Sequence, residues 1–411
     1  MTAGTVRPGA AARFDRAVLW TSVAIGVSLP ISTALDGLLV ATLFVCWFAG
    51  GRWREKLAIV RRNAFALFPC ALFLLQLAGS VYSIGELKDV WYALTKAVPL
   101  LLIPLLVSLQ PGEAWRARAL KGFAAAMLLT LALSFLVWWR LLPEGGFIKG
   151  APYDAVVFKL RVTHSVFMAF AAFLFALGAR DATHRQLRYQ MALLAALAVF
   201  NVFFMVQGRT GQVVLMALLL YFMITSFRWQ GIVAAAAMSI LVGGATYFTP
   251  SSSLHQRTQT TIREFSDWRA GKPAQLANMR LETWSNSLEV IRQYPVLGSG
   301  TGGFAAAYAR QVEGTSMRTA PQPENQYLLT AVQLGAFGLA TLLALFAAQW
   351  RLAARLATRT ETDIARGLVI FMVVGCLFNS FLLDHTEALF YAWLSGLLFA
   401  GLRPKDAGER R

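Results

Sequence analysis

Apolar runs of about twenty residues, separated by short polar breaks, recur along most of this chain. A helix rises 1.5 Å per residue and the hydrocarbon core of a bilayer is about 30 Å thick, so each run has the length of one crossing. The pattern predicts an all-α, polytopic membrane protein with about twelve transmembrane helices. They are expected at roughly 17–35, 36–50, 64–83, 90–108, 120–140, 162–179, 190–207, 211–227, 230–248, 325–349, 367–384 and 386–402. The second run is short. One long stretch, 249–324, is too polar to enter a bilayer and reads as a helical extramembrane loop with catalytic content. This divides the chain into residues 1–248 with nine helices, the loop 249–324, and residues 325–411 with three helices and a tail.

Composition agrees. The chain is 57% hydrophobic and 14% charged, against about a quarter charged for ordinary soluble domains. A net charge of +17 would suggest nucleic acid. However, the basic residues sit in short loops between apolar runs, where they bias topology and meet anionic lipid head groups. Nucleic acid is therefore rejected as a partner and membrane lipids are accepted. Cys46, Cys70 and Cys376 fall inside apolar runs and read as small hydrophobes rather than a disulfide framework. The first run lacks a convincing cleavage site and is expected to remain as an uncleaved span.

Loop charge sets the orientation. Arg7, Arg13 and Arg16, the segment 51–63, the loops holding Arg116 to Lys121, Arg180 to Arg188 and Arg351 to Arg366, and the tail all alternate onto one face, expected to be cytoplasmic. The opposite face receives 82–90, 141–160, the turn 208–210, the long loop and Asp384-His385-Thr386-Glu387.

The candidate chemistry lies on that second face. Gln207-Gly208-Arg209-Thr210-Gly211 breaks two apolar runs with a guanidinium between glycines. It either grips an anionic ligand or meets lipid phosphate at the interface. In 278–293, Arg280, Trp284, Ser287 and Ile291 share one helical face, and Tyr294-Pro295 closes the helix. Arg280 reads either as an anion ligand or as a solvated cation stacked on Trp284. Gly298-Ser-Gly300-Thr-Gly-Gly303 fits a dinucleotide fingerprint only formally, because no βαβ unit surrounds it. What remains is an expectation of free backbone N–H groups and a helix amino end that favours anions. Glu324-Asn325-Gln326-Tyr327 marks the return to the membrane, where Glu324 reads either as a helix-dipole carboxylate or as a general base. His164, just after Arg161, and His385 are further candidates on this face, although an isolated histidine is more often plainly structural. No metal ligand set and no cofactor motif is present in the sequence. Arginines are the natural substitute where a phosphate leaving group must be neutralised.

Taken together, Gln207 to Gly211, Arg280-x-x-x-Trp284, Tyr294-Pro295-x-x-Gly298-x-Gly300, Glu324 to Leu328 with Gly335 and Gly338, and Asn379–Trp393 resemble the O-antigen ligase and polymerase superfamily of bacterial envelope glycosyltransferases. The likeness runs from about residue 160 onward. It implies a membrane-embedded glycosyltransferase of the polyprenyl-donor, GT-C-like class with one large periplasmic loop, in the bacterial inner membrane with cytoplasmic termini. It further implies an O-antigen ligase, which transfers O-antigen polysaccharide from undecaprenyl pyrophosphate to the lipid A–core acceptor by metal-independent, inverting transfer. Arg209 and Arg280 match the arginines assigned to the pyrophosphate. Gly298, Gly300, Trp284, Asn325, Tyr327, His385, His164 and Arg161 are implied as secondary substrate contacts. The family usually carries histidine where this chain has Glu324, so the base is either Glu324 or a histidine such as His385 or His164. The O-antigen polymerase and the protein O-oligosaccharyltransferase share the same donor motifs. A polysaccharide or lipid exporter is the reading from a different class.

Overall fold

The structure is a computed structural model that describes residues 10–248, 279–315 and 317–403, with residues 259, 262, 263 and 266. The remainder of the long loop, with His255, and the basic tail beyond Arg403 lie outside the described residues.

The described chain is helical, and its only β features are two isolated bridges, Gly145 with Ile148 and Ala151 with Asp154. In order, the helices are α1 Ala10–Ser28, α2 Thr33–Ala49, α3 Trp53–Arg62, α4 Leu67–Gly79, α5 Leu87–Ala97, α6 Leu102–Leu109, α7 Glu113–Trp138, α8 Arg161–Asp181, α9 Arg185–Phe200, α10 Arg209–Phe248, α11 Met279–Gln293, α12 Phe304–Val312, α13 Gln326–Ala353, α14 Arg359–Gly375 and α15 His385–Phe399. Pro99 lies in a 3₁₀ turn that joins α5 to α6. Six segments are long and apolar enough to cross a membrane: Leu87–Leu109, Glu113–Trp138, Arg161–Asp181, Arg185–Met205, Arg209–Phe227 and Gln326–Ala353. The pair α2 and α3, bent by 113°, would add a seventh. α10 is assigned over 40 residues, yet a Cβ on Gly231 would stand 2.0 Å from the Met223 carbonyl oxygen. Eight residues of straight helix span about 12 Å, so the chain bends sharply there, near the break expected after 227.

One boundary differs clearly from expectation. The run 367–384 was expected as one span, but α14 begins at Arg359 and stops at Gly375. A Cβ on Gly375 would lie 1.9 Å from the Phe381 ring. The chain folds back so tightly there that residues 376–384 form turns instead of helix.

Burial follows the apolar pattern. α8 and α15 are apolar around their whole circumference, and helices of that kind belong inside a bundle. Phe390 of α15 meets Phe167, Phe170 and Phe371 at ring-centroid distances of 4.8, 5.1 and 5.5 Å, and Trp393 Nε1 donates to the Ser22 carbonyl at 2.8 Å. A smaller core of Val290, Phe304, Ala307, Tyr308, Val312, Leu329 and Val332 packs α11 and α12 onto the start of α13.

Polar contacts separate the two ends of the bundle. At one end Arg116 pairs with Glu361 at 2.7 Å, Arg180 with Asp363 at 2.6 Å, and Asn63 Nδ2 donates to the Phe399 carbonyl at 2.8 Å. At the other end Lys159 Nζ donates to Thr33 Oγ1 at 2.7 Å and pairs with Asp36 at 3.3 Å, and Asn379 Nδ2 donates to Thr210 Oγ1 at 2.9 Å. The loops expected on each face therefore gather as two groups.

Candidate functional site

The site grows from residues 376–384, the turns between α14 and α15. Their main chain binds the start of α13: the Gln326 N–H donates to the Cys376 carbonyl at 2.9 Å, and the Leu382 N–H donates to Gln326 Oε1 at 2.9 Å. Asn325 Nδ2 donates to the Leu377 carbonyl at 3.1 Å. From the other side Asn379 reaches Thr210, next to Arg209. One connector thus ties the Gln207–Gly211 motif to the Glu324–Tyr327 motif, more than a hundred residues apart in the chain.

Arg209 opens α10. It is exposed, and among the described residues it has no hydrogen-bond or ion-pair partner. Its setting is built by small residues. A Cβ on Gly208 would lie 2.2 Å from Ser165 Oγ, and one on Gly211 would lie 2.4 Å from Ser165 Cβ. Only glycine lets α10 begin this close to α8. The buried Asp154 carboxylate accepts the Gln207 N–H at 2.8 Å and pairs with Arg161 at 2.9 Å. Arg161 is therefore a neutralised neighbour of this motif, whereas Arg209 keeps its charge available.

Arg280 lies in the first turn of α11. Its Nε donates to Glu324 Oε2 at 2.5 Å, and its terminal nitrogen also pairs with that carboxylate. Both side chains are about half exposed, at 50% and 45%, so water reaches the pair and the Coulomb gain is modest. One turn later Trp284 Nε1 donates to the Pro323 carbonyl at 2.8 Å, which holds α11 against the returning chain. Glu324 has φ +47°, a left-handed conformation that costs a non-glycine residue about 1–3 kcal/mol. The following residue explains how it is held. Asn325 caps α13, with Oδ1 accepting the Tyr327 and Leu328 N–H groups at 3.0 and 3.1 Å. The polar atoms of Asn325 are thereby committed to the fold. The Tyr327 hydroxyl likewise donates to the Val373 carbonyl at 2.9 Å.

The glycine run corrects an expectation. Its backbone N–H groups do not form an anion cradle. Gly298 donates to Tyr294 at 3.2 Å, Ser299 to Val332 at 2.7 Å, Gly300 to Gln333 at 2.9 Å, Thr301 to Gly79 at 3.0 Å and Gly303 to Gly300 at 2.9 Å. α13 breaks at Gly335, with φ +59° and ψ −155°, in a region essentially restricted to glycine. The break leaves the Val332 and Gln333 carbonyls without helical donors, and the glycine run supplies them. In exchange the Ala336 N–H donates to the Pro295 carbonyl at 2.9 Å. Gly298 and Gly300 have φ +74° and +87°, and Cβ atoms there would strike the Gln333 and Ser83 backbones at 2.4 and 2.2 Å. These glycines are needed for backbone-to-backbone packing.

His164 is a second correction. It is 3% exposed, with Nε2 at 3.3 Å from Asn201 Oδ1 and Nδ1 accepting the Val157 N–H at 3.5 Å. Both ring nitrogens are engaged inside the bundle, so it is not a surface base. His385 is the first residue of α15, and its buried Nε2 has no hydrogen-bond partner among the described residues.

The residue that sequence reasoning passed over is Asp384, at the N-cap of α15. Burial, followed by the nearby Glu387 carboxylate and then Glu324, holds its carboxyl up at about 7 against the opposing pull of Lys96. A carboxyl poised near neutrality within electrostatic reach of Glu324 is suited to proton transfer. Its run Asp384-His385-Thr386-Glu387 was visible in the sequence, but nothing there indicated that Glu324, sixty residues away, comes close to it. Among the described residues no group of three or more His, Cys, Asp or Glu is arranged to hold a metal ion.

Comparison with known proteins adds the following. A family model described as O-antigen ligase matches residues 192–343, a segment that holds Arg209, Arg280 and Glu324. The superfamily resemblance read from the sequence is thereby supported. No curated protein matches the chain. Among solved structures, one chain from "Structural coordination of polymerization and crosslinking by a peptidoglycan synthase complex" aligns with 14% identity and a TM-score of 0.49. The alignment covers 84% of this chain and 98% of that one.

Proposed function

We propose, from the match of residues 192–343 to the O-antigen ligase family model, that this protein is a membrane glycosyltransferase acting as an O-antigen ligase. The observation that carries the reading is the convergence of unpaired Arg209, the Arg280–Glu324 pair and near-neutral Asp384 around residues 376–384. The donor is O-antigen polysaccharide on undecaprenyl pyrophosphate, and the acceptor is a sugar hydroxyl of lipid A–core. In this reading the chain belongs to the GT-C-like class and crosses the bacterial inner membrane about twelve times. Its termini are cytoplasmic, and its catalytic loop, 249–324, is periplasmic.

Arg209 meets the donor diphosphate as a cation that no carboxylate neutralises. Arg280 exchanges partners: in the free protein it holds Glu324, and a diphosphate with more negative charge draws the guanidinium away. That exchange frees Glu324 to accept the proton of the acceptor hydroxyl as the oxygen attacks the anomeric carbon. The bond from that carbon to the phosphate oxygen breaks on the opposite side, inverting the centre, and undecaprenyl pyrophosphate leaves with both arginines compensating its charge. Glu324 then releases the proton to water, and the near-neutral Asp384 carboxyl takes up or returns protons on the same face. Trp284 keeps Arg280 aimed through its bond to Pro323.

The test is reconstitution of purified protein with undecaprenyl-pyrophosphate O-antigen and lipid A–core, with EDTA present, scored for glycan-bearing lipid A–core. Transfer that Arg280→Ala lowers about 10²–10³-fold is the expected result. If the glycan instead lengthens on its own polyprenyl carrier, the protein is the polymerase and the arginine roles remain. With neither product, a protein-acceptor transferase or an exporter replaces this reading.

A further inference from the structure

We propose that the end of the bundle opposite the Arg280–Glu324 pair holds a binding site for an anionic phospholipid whose head group carries two phosphate charges, of the cardiolipin type. The site is a cleft of about 700 Å³ between the starts of α1 and α7, lined by Asp15, Arg16, Trp20, Arg52, Trp115 and Arg118. It is independent of the glycosyl-transfer chemistry.

The charges in this cleft do not cancel. Three arginines and one aspartate line it, a net of +2. Asp15 is already taken, because it pairs with Arg52 and lies 3.7 Å from Lys56 Nζ. Arg16 is exposed and meets no carboxylate among the described residues. Arg118 rests over the Trp115 ring at 4.9 Å, a cation–π contact that holds the guanidinium at the cleft wall without neutralising it. Trp115 in turn meets Trp20 edge to face at 5.0 Å. Elsewhere at this end, arginines near carboxylates use them: Arg116 takes Glu361 and Arg180 takes Asp363.

The occupant follows from where the cleft sits. α7 is a candidate membrane span, and Trp20 is 55% exposed on α1. Trp115, in the first turn of that span, meets Trp20 of α1 at the same height, and tryptophans at the end of a span mark head-group level. Further along, the same two helices leave Val27, Leu128 and Leu129 exposed, an apolar surface for acyl chains. The floor is closed, because α1 and α7 touch closely where a Cβ on Gly26 would meet the Ala119 carbonyl at 2.8 Å. A lipid bisphosphate satisfies both free guanidinium groups and covers the indoles. An acidic protein segment would leave the apolar continuation bare.

The experiment uses the purified full chain in detergent, with cardiolipin and phosphatidylcholine as probes and native mass spectrometry reading retained lipid. Each arginine near a membrane surface is worth about 1 kcal/mol, or about fivefold in affinity. Arg16→Gln with Arg118→Gln should therefore lose cardiolipin about 25-fold, with no change for phosphatidylcholine. A control pair on α3 at the same end, Arg54→Gln with Arg61→Gln, should retain it. Equal cardiolipin retention by the cleft variant overturns the proposal, as does equal loss in the α3 control. Displacement of the lipid by inorganic phosphate alone would overturn it too, in favour of a free-anion site. Among the described residues neither cleft arginine pairs with a carboxylate, so the lipid-free variant should unfold at the wild-type temperature. Should it not, Arg16→Gln alone carries the test with a fivefold loss.

Discussion

Two glycine-framed segments, Gln207–Gly211 and Gly298–Gly303, look alike as sequence and serve opposite ends in the structure. In the first, Gly208 and Gly211 let α10 press against Ser165, and the arginine between them has no partner among the described residues. In the second, the N–H groups of residues 298–301 and 303 all bond to main-chain carbonyls, and the positive φ angles at Gly298 and Gly300 allow contact with neighbouring backbones. Glycine indicates that the backbone approaches something closely. Whether that partner is a ligand or the protein itself depends on what the chain brings to the spot.

The comparison can be broken most severely at the second segment. Gly300→Val would drive side-chain atoms into the Ser83 backbone and force a branched residue to φ +87°. The expected outcome is loss of folded protein, read as absence of a monodisperse peak after detergent extraction. Retention of a folded, inactive protein would instead return the glycine run to the role of a ligand cradle. Next in size is chemistry without unfolding. Arg280→Ala and Arg209→Ala should each lower transfer about 10²–10³-fold, by analogy with removing one charge-stabilising donor, while extraction and melting temperature stay near wild type. Arg280→Lys should recover little, because a single ammonium cannot reproduce bidentate contacts to a phosphate.

A smaller effect sharpens the reading of Asp384. Its carboxyl is raised from 3.8 to about 7 in the folded protein. The folded state therefore holds this proton more tightly than the unfolded chain. The group's contribution to stability is fully present below about pH 4 and is lost as pH rises to about 7. Asp384→Asn removes that loss, so its melting temperature should exceed wild type at pH 8 and converge with it at pH 4. The wild-type pH–rate profile should also lose a limb near 7 in the variant. Smallest of all, Asn325→Ala removes the cap of α13 and should cost about 1 kcal/mol, seen in denaturant unfolding, with the remaining folded protein active.

Much of the architecture was legible because the bilayer makes it so. Spans must be apolar and helical wherever they meet lipid, and residues 113–138, 161–181 and 326–353 appear close to where hydropathy expected them. Arg209 was legible for a related reason, since a charge at the end of a span is conspicuous in so apolar a chain, whereas Arg280 stood out among the loop's other arginines only through the motif shared with the family. Other features were hidden. The end of α14 at Gly375 depends on Phe381 packing against it, a contact that no periodicity reports. His164 carries no mark of its burial against Asn201. Asp384 is ordinary as a letter in the chain and distinctive only through its burial and the Glu387 carboxylate near it.

Composition and periodicity alone determined that this chain is a helical membrane protein with a polar segment before residue 325, and the family resemblance singled out Arg209 and Arg280 among its many cations. The first follows from local chemistry, since transfer free energy and helix length are read residue by residue. Tertiary structure decided which groups meet. It paired Arg280 with Glu324, joined Thr210 to Asn379, spent the glycine N–H groups on the break at Gly335, and raised Asp384 by surrounding it with carboxylates and protein. Charge interactions and backbone hydrogen bonds depend on distances across the fold, and sequence separation carries no information about those distances.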